Sequence, residues 1–115
     1  MLLNHSFPPA EYDRVSDGEA VCAVLINGKE EMHEYCRAYG IRGSSCKVYC
    51  DNDISCKGYD FRSPHCAIYT TAPCSATAGF TKRNRGMTGE FIPGGKYASG
   101  WSGCYKKNGS TFVFI

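Results

Sequence analysis

The sequence predicts a small disulfide-rich α+β domain in which a helix packs on a twisted antiparallel β-sheet. Three observations lead there. Eight cysteines stand among 115 residues, enough for cross-links to replace much of the core that so short a chain lacks. Cys46 and Cys50 are four apart, which on a helix sets both sulfurs on one face, one turn above the other. Downstream, Gly58-Tyr59-Asp60-Phe61 alternates large aromatic residues with small or charged ones, and after Ser63-Pro64 the run Cys66-Ala67-Ile68-Tyr69-Thr70-Thr71 is β-branched and aromatic, the pattern of a hairpin. The sum is a helix, a hairpin and covalent bonds between them.

Taken from the start, residues 1–10 end in Phe7-Pro8-Pro9-Ala10 and read as an extended lead-in, because the prolines fix φ and remove donors. The first strand falls near Glu11 to Val15 or near Ala20 to Ile26. In the second of these, Val21, Ala23 and Leu25 share one face while Cys22, Val24 and Ile26 share the other, so the strand should be buried on both faces or covered by a helix. Asn27-Gly28 signals a turn. Lys29 to Tyr39 then reads as a helix ended by Gly40, with Met32, Tyr35, Cys36 and Tyr39 at helical spacing. An irregular loop, or a strand ending at Tyr39, is the competing reading.

Ser44 or Ser45 is the expected cap of the main helix, which is short and runs through Cys50. Asp51, Asp53 and Ser55 imitate the start of a calcium loop, but Cys56 occupies the glycine position and Arg62 the closing glutamate, so a polar turn without a metal is expected. Beyond the hairpin, Ser75 to Gly100 is rich in glycine. Within it Thr81-Lys82-Arg83-Asn84-Arg85-Gly86 is the one dense basic cluster, read as a solvated loop tip, with a sulfated glycan or an acidic protein as its functional alternative. Glu90-Phe91-Ile92 resembles a strand broken at Pro93-Gly94-Gly95, and Lys96 to Tyr105 should form the closing strand. Ser110 to Ile115 is apolar and β-prone, and either adds a strand or docks against another chain.

The succession of a helix with Cys46 and Cys50, a strand opened by Cys56 and carrying Tyr59 and Phe61, and Cys66 on the returning strand resembles the PAN/apple domain family. Gly103-Cys104-Tyr105 looks like that family's closing strand, with Cys22 near the start as its partner. The resemblance spans about residues 11–107, leaving 1–10 as the lead-in and 108–115 as a C-terminal strand or tail. It implies bridges Cys46–Cys66, Cys50–Cys56 and Cys22–Cys104. Cys36 and Cys74 stand outside the usual six; a bridge between them follows by elimination, with Cys36 also able to compete with Cys22 for Cys104. The cysteine count alone would allow 105 pairings. The resemblance further implies a recognition module whose ligand is a glycan or an extracellular protein; the cysteine content places it as secreted or on the cell surface, and with no catalytic motif among the residues it is read as non-catalytic and without a cofactor.

Bulk properties narrow the classes independently. Thirteen basic and 11 acidic residues give a net charge of +2, too balanced for a nucleic-acid partner. No run of 18 apolar residues exists, so no membrane insertion is expected. An even number of cysteines without C-x2-C pairs points to an oxidising compartment and not to a zinc site. Met1-Leu2-Leu3-Asn4-His5 lacks the basic flank and apolar stretch of a signal peptide, so a secreted protein of this sequence would be a mature form, an excised module or a recombinant product. The histidines at 5, 33 and 65 are scattered. Glu34, His65 and Arg62 or Arg85 would supply the residue types of a small ribonuclease, yet no motif joins them.

Binding is therefore the expected activity. Eight tyrosines, six phenylalanines and one tryptophan are more rings than so small a domain can bury, and an exposed ring can stack on a sugar or anchor a protein contact. Lys57, Arg62, Tyr97 and Trp101 are the expected contact surface, being large or charged residues near strands and turns. Asn4-His5-Ser6 and Asn108-Gly109-Ser110 are glycosylation sequons at Asn4 and Asn108. The alternative is a structural subunit that self-associates through its C-terminal strand into a fibre or surface assembly.

Overall fold

The computed structural model describes residues 10–15, 18–31, 35–74, 83–84 and 86–108. Asn4, the lead-in over residues 1–9, Thr81, Lys82, Arg85 and the apolar tail at 110–115 lie outside them. The described chain forms strands β1 (Tyr12–Arg14), β2 (Ala20–Ile26), β3 (Lys29–Glu31) and β4 (Cys36–Tyr39), helix α1 (Gly43–Asp51), then β5 (Cys56–Arg62), β6 (His65–Thr70), β7 (Arg83–Asn84), β8 (Glu90–Tyr97) and β9 (Tyr105–Lys107). They assemble into two antiparallel sheets, one ordered β1-β9-β5-β6-β4-β7 and the other β3-β2-β8.

Alternation along β5 and β6 explains the layering. Tyr59 faces Ile68 and Phe61 faces Cys66 across the ladder. These four side chains point to the helix and join Cys36, Ala38, Cys46 and Cys50 in one apolar cluster. The intervening residues Ala67 and Tyr69 point the other way, into a second cluster with Cys22, Val24, Tyr35, Met87 and Cys104. The larger sheet is thus a middle layer, with α1 on one side and β3-β2-β8 on the other. Although it lies in the outer sheet, β2 buries Ala20 through Val24 without interruption.

Cys46–Cys66 and Cys50–Cys56 bond the helix to β6 and β5; Cys22–Cys104 ties β2 to the segment before β9, and Cys36–Cys74 holds β4. Every cysteine is bonded. These are the three pairs that the resemblance implies, with the fourth formed by the remainder. The helix is also gripped at both ends by the sheet. Its first amide, Gly43 N–H, donates to Ser63 Oγ in the β5–β6 turn at 3.0 Å, and Lys107 Nζ on β9 donates to the carbonyls of Cys50 at 2.8 Å and Asp53 at 3.2 Å. Groups orphaned at helix ends are satisfied from outside the helix.

Four sequence expectations are corrected. Lys29 to Tyr39 holds no helix where it is described: Lys29–Glu31 pairs with β2, and Cys36–Tyr39 lies between β6 and β7. Helical spacing of Tyr35, Cys36 and Tyr39 yields to alternation, with Cys36 and Ala38 facing the helix side, so the strand reading is the one realised. Neither Ser44 nor Ser45 caps α1; its N-cap is Arg42, which makes no side-chain cap bond. Pro93-Gly94-Gly95 does not break the strand, because β8 carries it as a bulge: Val21 pairs with Lys96 and Ala23 with Ile92. Gly95 permits this with φ +64° and its bare Cα against Val21 O. The last correction follows: the closing segment is not one strand from Lys96 to Tyr105, since residues 98–104 leave the sheet before β9.

Candidate functional site

A cavity of about 200 Å3 opens at the seam of the two sheets, lined by Val21, Tyr35, Arg37, Asp60, Tyr69, Ala98 and Trp101. Its floor is Asp60, 1% exposed. Alternation places this carboxylate between the layers: its neighbours Tyr59 and Phe61 face the helix, so Asp60 must face β2. One oxygen is fully used. Oδ2 accepts the Cys22 amide at 2.7 Å and the Tyr69 hydroxyl at 2.7 Å. The other, Oδ1, is buried without a hydrogen-bond partner among the described residues.

Arg37 enters from β4, opposite Ala67, on the same face as Tyr69. Its Nη2 lies 2.8 Å from His65 Nδ1, and since arginine only donates, the imidazole nitrogen accepts. The Nε of Arg37 is likewise buried and unpartnered among the described residues. Buried polar groups are paired in the great majority of cases. Arg37 and Asp60 both line the cavity and each holds one such orphan atom, whose bonding a ligand or water that reaches it would complete.

Burial pushes the Asp60 carboxyl up to about 7, against the lowering influence of the Tyr69 hydroxyl, the Cys22 amide and the Arg37 charge. Burial also drives the Tyr69 phenol well above its usual range, helped by the Asp60 charge. Asp60 thus exchanges between acceptor and donor near neutral pH, while Tyr69 stays a donor.

Trp101 closes the rim. The turn from Ala98 to Trp101 N (3.2 Å) sets its backbone, and Ser102 clamps the loop to β5 through Ser102 N to Phe61 O at 2.9 Å and Phe61 N to Ser102 Oγ at 3.0 Å. Its ring stacks with His65 at 6.4 Å, and His65 meets Tyr39 edge-on at 5.0 Å. Tyr39 is 61% exposed, so the aromatic row runs from solvent to the cavity mouth. Arg62 reaches the same rim, for a Cβ on Gly100 would meet its Nε at 2.9 Å.

A comparison with family models, curated proteins and solved structures finds no match. The site is read from its own chemistry. Of the four residues expected at a contact surface, the fold brings Arg62 and Trp101 together. Tyr97 is 76% exposed at the end of β8, next to the lining residue Ala98, with its hydroxyl 3.5 Å from Glu19 Oε2. Lys57 stands apart, roughly 15 Å along β5 from Arg62, in a shallow groove with Lys106, Lys107 and Phe91.

Nothing in the local sequence singles out Arg37, Tyr35 or Tyr69 as cavity residues. Asp60 carried a usable signal, a lone carboxylate between two aromatics in a strand. The sequon residue Asn108 is half-buried, with its amide on Glu11 O at 2.9 Å.

Other polar clusters are structurally committed. Asp51 accepts from Ala10 N, Tyr12 Oη and Lys47 Nζ at 3.2, 2.7 and 3.0 Å, tying β1 to α1. Asp53 Oδ1 accepts from Ser55 N at 2.9 Å and Ser55 Oγ at 2.8 Å, which makes the calcium-like stretch a self-bonded turn. The described residues contain no group of three His, Cys, Asp or Glu that could hold a metal. Arg62 and His65 are paired across β5 and β6, whereas Glu34 and Arg85 of the ribonuclease set lie outside the described residues.

Proposed function

We propose that this chain is an extracellular recognition module of PAN/apple type, and that the cavity between its two sheets binds a glycan. The observation that carries this reading is the pairing of two unsatisfied buried polar atoms, Asp60 Oδ1 and Arg37 Nε, with an aromatic wall at Trp101 and Tyr35. A sugar offers both complements. Its hydroxyls meet the polar atoms and its apolar face meets a ring. At about 200 Å3 the cavity equals the liquid volume of about seven waters, so it suits one terminal unit and not a long chain.

Four disulfides in so small a domain fit an extracellular setting, and no helix among the described residues is long and apolar enough to cross a membrane. The bonding order of Cys22, Cys46, Cys50, Cys56, Cys66 and Cys104 supports the PAN/apple reading. A non-catalytic role is favoured because all cysteines are bridged, which leaves none of them a thiol to act as a nucleophile. The test is a glycan array with oxidised protein beside a reduced and alkylated control. Binding that requires the bridges and is lost in Trp101→Ala supports the reading; binding that survives reduction, or no binding to any glycan, overturns it.

A further inference from the structure

Resting on that reading, we infer that the preferred ligand of the cavity is an acidic sugar unit, a uronate whose carboxylate sits between Arg37 and Asp60, and that its capture is linked to protonation of Asp60. The unpaired atoms impose the choice. Arg37 Nε is a donor in every state. Asp60 Oδ1 is the second unpaired atom, and it too becomes a donor once it holds a proton. Two donors and one cation converging on a small cavity call for an acceptor with two oxygens and a negative charge. Trp101 at the mouth then offers its ring to the pyranose face, which favours a sugar acid over an amino-acid carboxylate.

Charge balance gives the pH dependence. The groups facing Asp60 are Tyr69 from β6, the Cys22 amide from β2 and Arg37 from β4, with His65 behind Arg37 accepting its Nη2 and Tyr35 across the cavity. When Asp60 is ionised it compensates Arg37 and repels a second carboxylate. When it is protonated, Arg37 is left without a counter-ion among the described residues and Oδ1 carries the hydrogen that the ligand accepts. One proton is taken up at Oδ1 as one anion binds. With Asp60 titrating near 7, affinity for a uronate should fall about ten-fold from pH 6 to pH 8.

The chain has a single tryptophan, so its fluorescence reports the cavity mouth directly. Titrations of the oxidised protein with glucuronate, galacturonate and their neutral parents glucose and galactose, at about pH 6 and pH 8, are the measurement. The expected result is preference for a uronate at the lower pH, loss of that preference in Arg37→Gln, and a pH-independent affinity in Asp60→Asn. Should Asp60→Asn fail to fold, His65→Gln, which removes the imidazole beside Arg37, decides the matter: the pH dependence should persist in it, and its loss would overturn the assignment to Asp60. Neutral sugars binding as tightly as uronates, or uronate affinity that does not change with pH, would overturn this inference while leaving a glycan site in place. No response to any sugar, together with a silent glycan array, would overturn both; tighter binding of an acidic peptide would replace the sugar by a protein ligand.

Discussion

The backbone amide of Cys22 donates to Oδ2 of Asp60 at 2.7 Å, so the smaller sheet is fastened to the larger by a buried carboxylate. The same oxygen accepts the Tyr69 hydroxyl. A single side chain thereby links β2, β5 and β6 at the floor of the cavity, and stability and binding share one titrating group.

Stability should therefore fall as pH rises through neutrality. Asp60 sits near 7 in the fold and near 3.9 in an unfolded chain, so the native state binds the extra proton between those values. Its contribution is complete below about pH 4 and lost as pH passes 7, at most about 4 kcal/mol in all. Asp60→Asn keeps the acceptor for Cys22 and Tyr69 and removes the charge. Urea midpoints at several pH values should show the wild type weakening relative to the variant between about pH 5 and pH 8; parallel curves would refute the assignment.

The Ser63 hydroxyl is the acceptor for the first amide of α1. Ser63→Ala should cost about 1 kcal/mol, as loss of an N-cap does, and lower Tm by several degrees. Ser44→Ala and Ser45→Ala should leave Tm nearly unchanged, because neither hydroxyl caps the helix. Thermal unfolding of the three variants separates the two possibilities.

Glycines 94 and 95 should respond oppositely to alanine. Gly95 has φ +64° and its new Cβ would collide with Val21 O, whereas a Cβ on Gly94 meets nothing within 4 Å. Gly95→Ala should cost more than about 2 kcal/mol and Gly94→Ala no more than about 0.5. Denaturant curves for both variants would show whether the bulge is as constrained as its register requires.

Among the bridges, Cys22–Cys104 should matter more than Cys50–Cys56. Their sequence separations are 82 and 6; in the chain-entropy model these closures restrict the unfolded state by about 4.5 and 2.4 kcal/mol. The double alanine variant at 22 and 104 should unfold at markedly lower denaturant than that at 50 and 56. The reverse order would show that the short bridge, which joins α1 to β5, governs stability through the native state.

Much of the architecture was legible because local chemistry and fold agree. The Cys46/Cys50 spacing marks α1, the alternation at Tyr59 and Phe61 marks β5, and the doubly apolar β2 anticipates a strand buried along most of its length. Legibility failed where a longer-range partner outweighed the local pattern. Tyr35, Cys36 and Tyr39 sit at helical spacing, but pairing of Cys36 with Ile68 and its bond to Cys74 make the segment a strand. At the site, Trp101 and Arg62 were readable as large surface residues. Arg37 was not, since nothing local distinguishes a buried arginine from a solvated one, and Asp60 was marked only by its place between two aromatics in a strand.

By itself the sequence determined which residues bend and alternate, in the short helix and the hairpin, and a cysteine content suited to an oxidising compartment. Those properties depend on composition and on spacing within a few residues. Only the tertiary structure decided that Asp60 faces a second sheet, that Ser63 and Lys107 close the ends of α1, and that Arg37, Asp60 and Trp101 meet around one cavity. Burial and convergence arise from packing between layers, and the residues that create them are far apart in sequence, 64 positions in the case of Arg37 and Trp101.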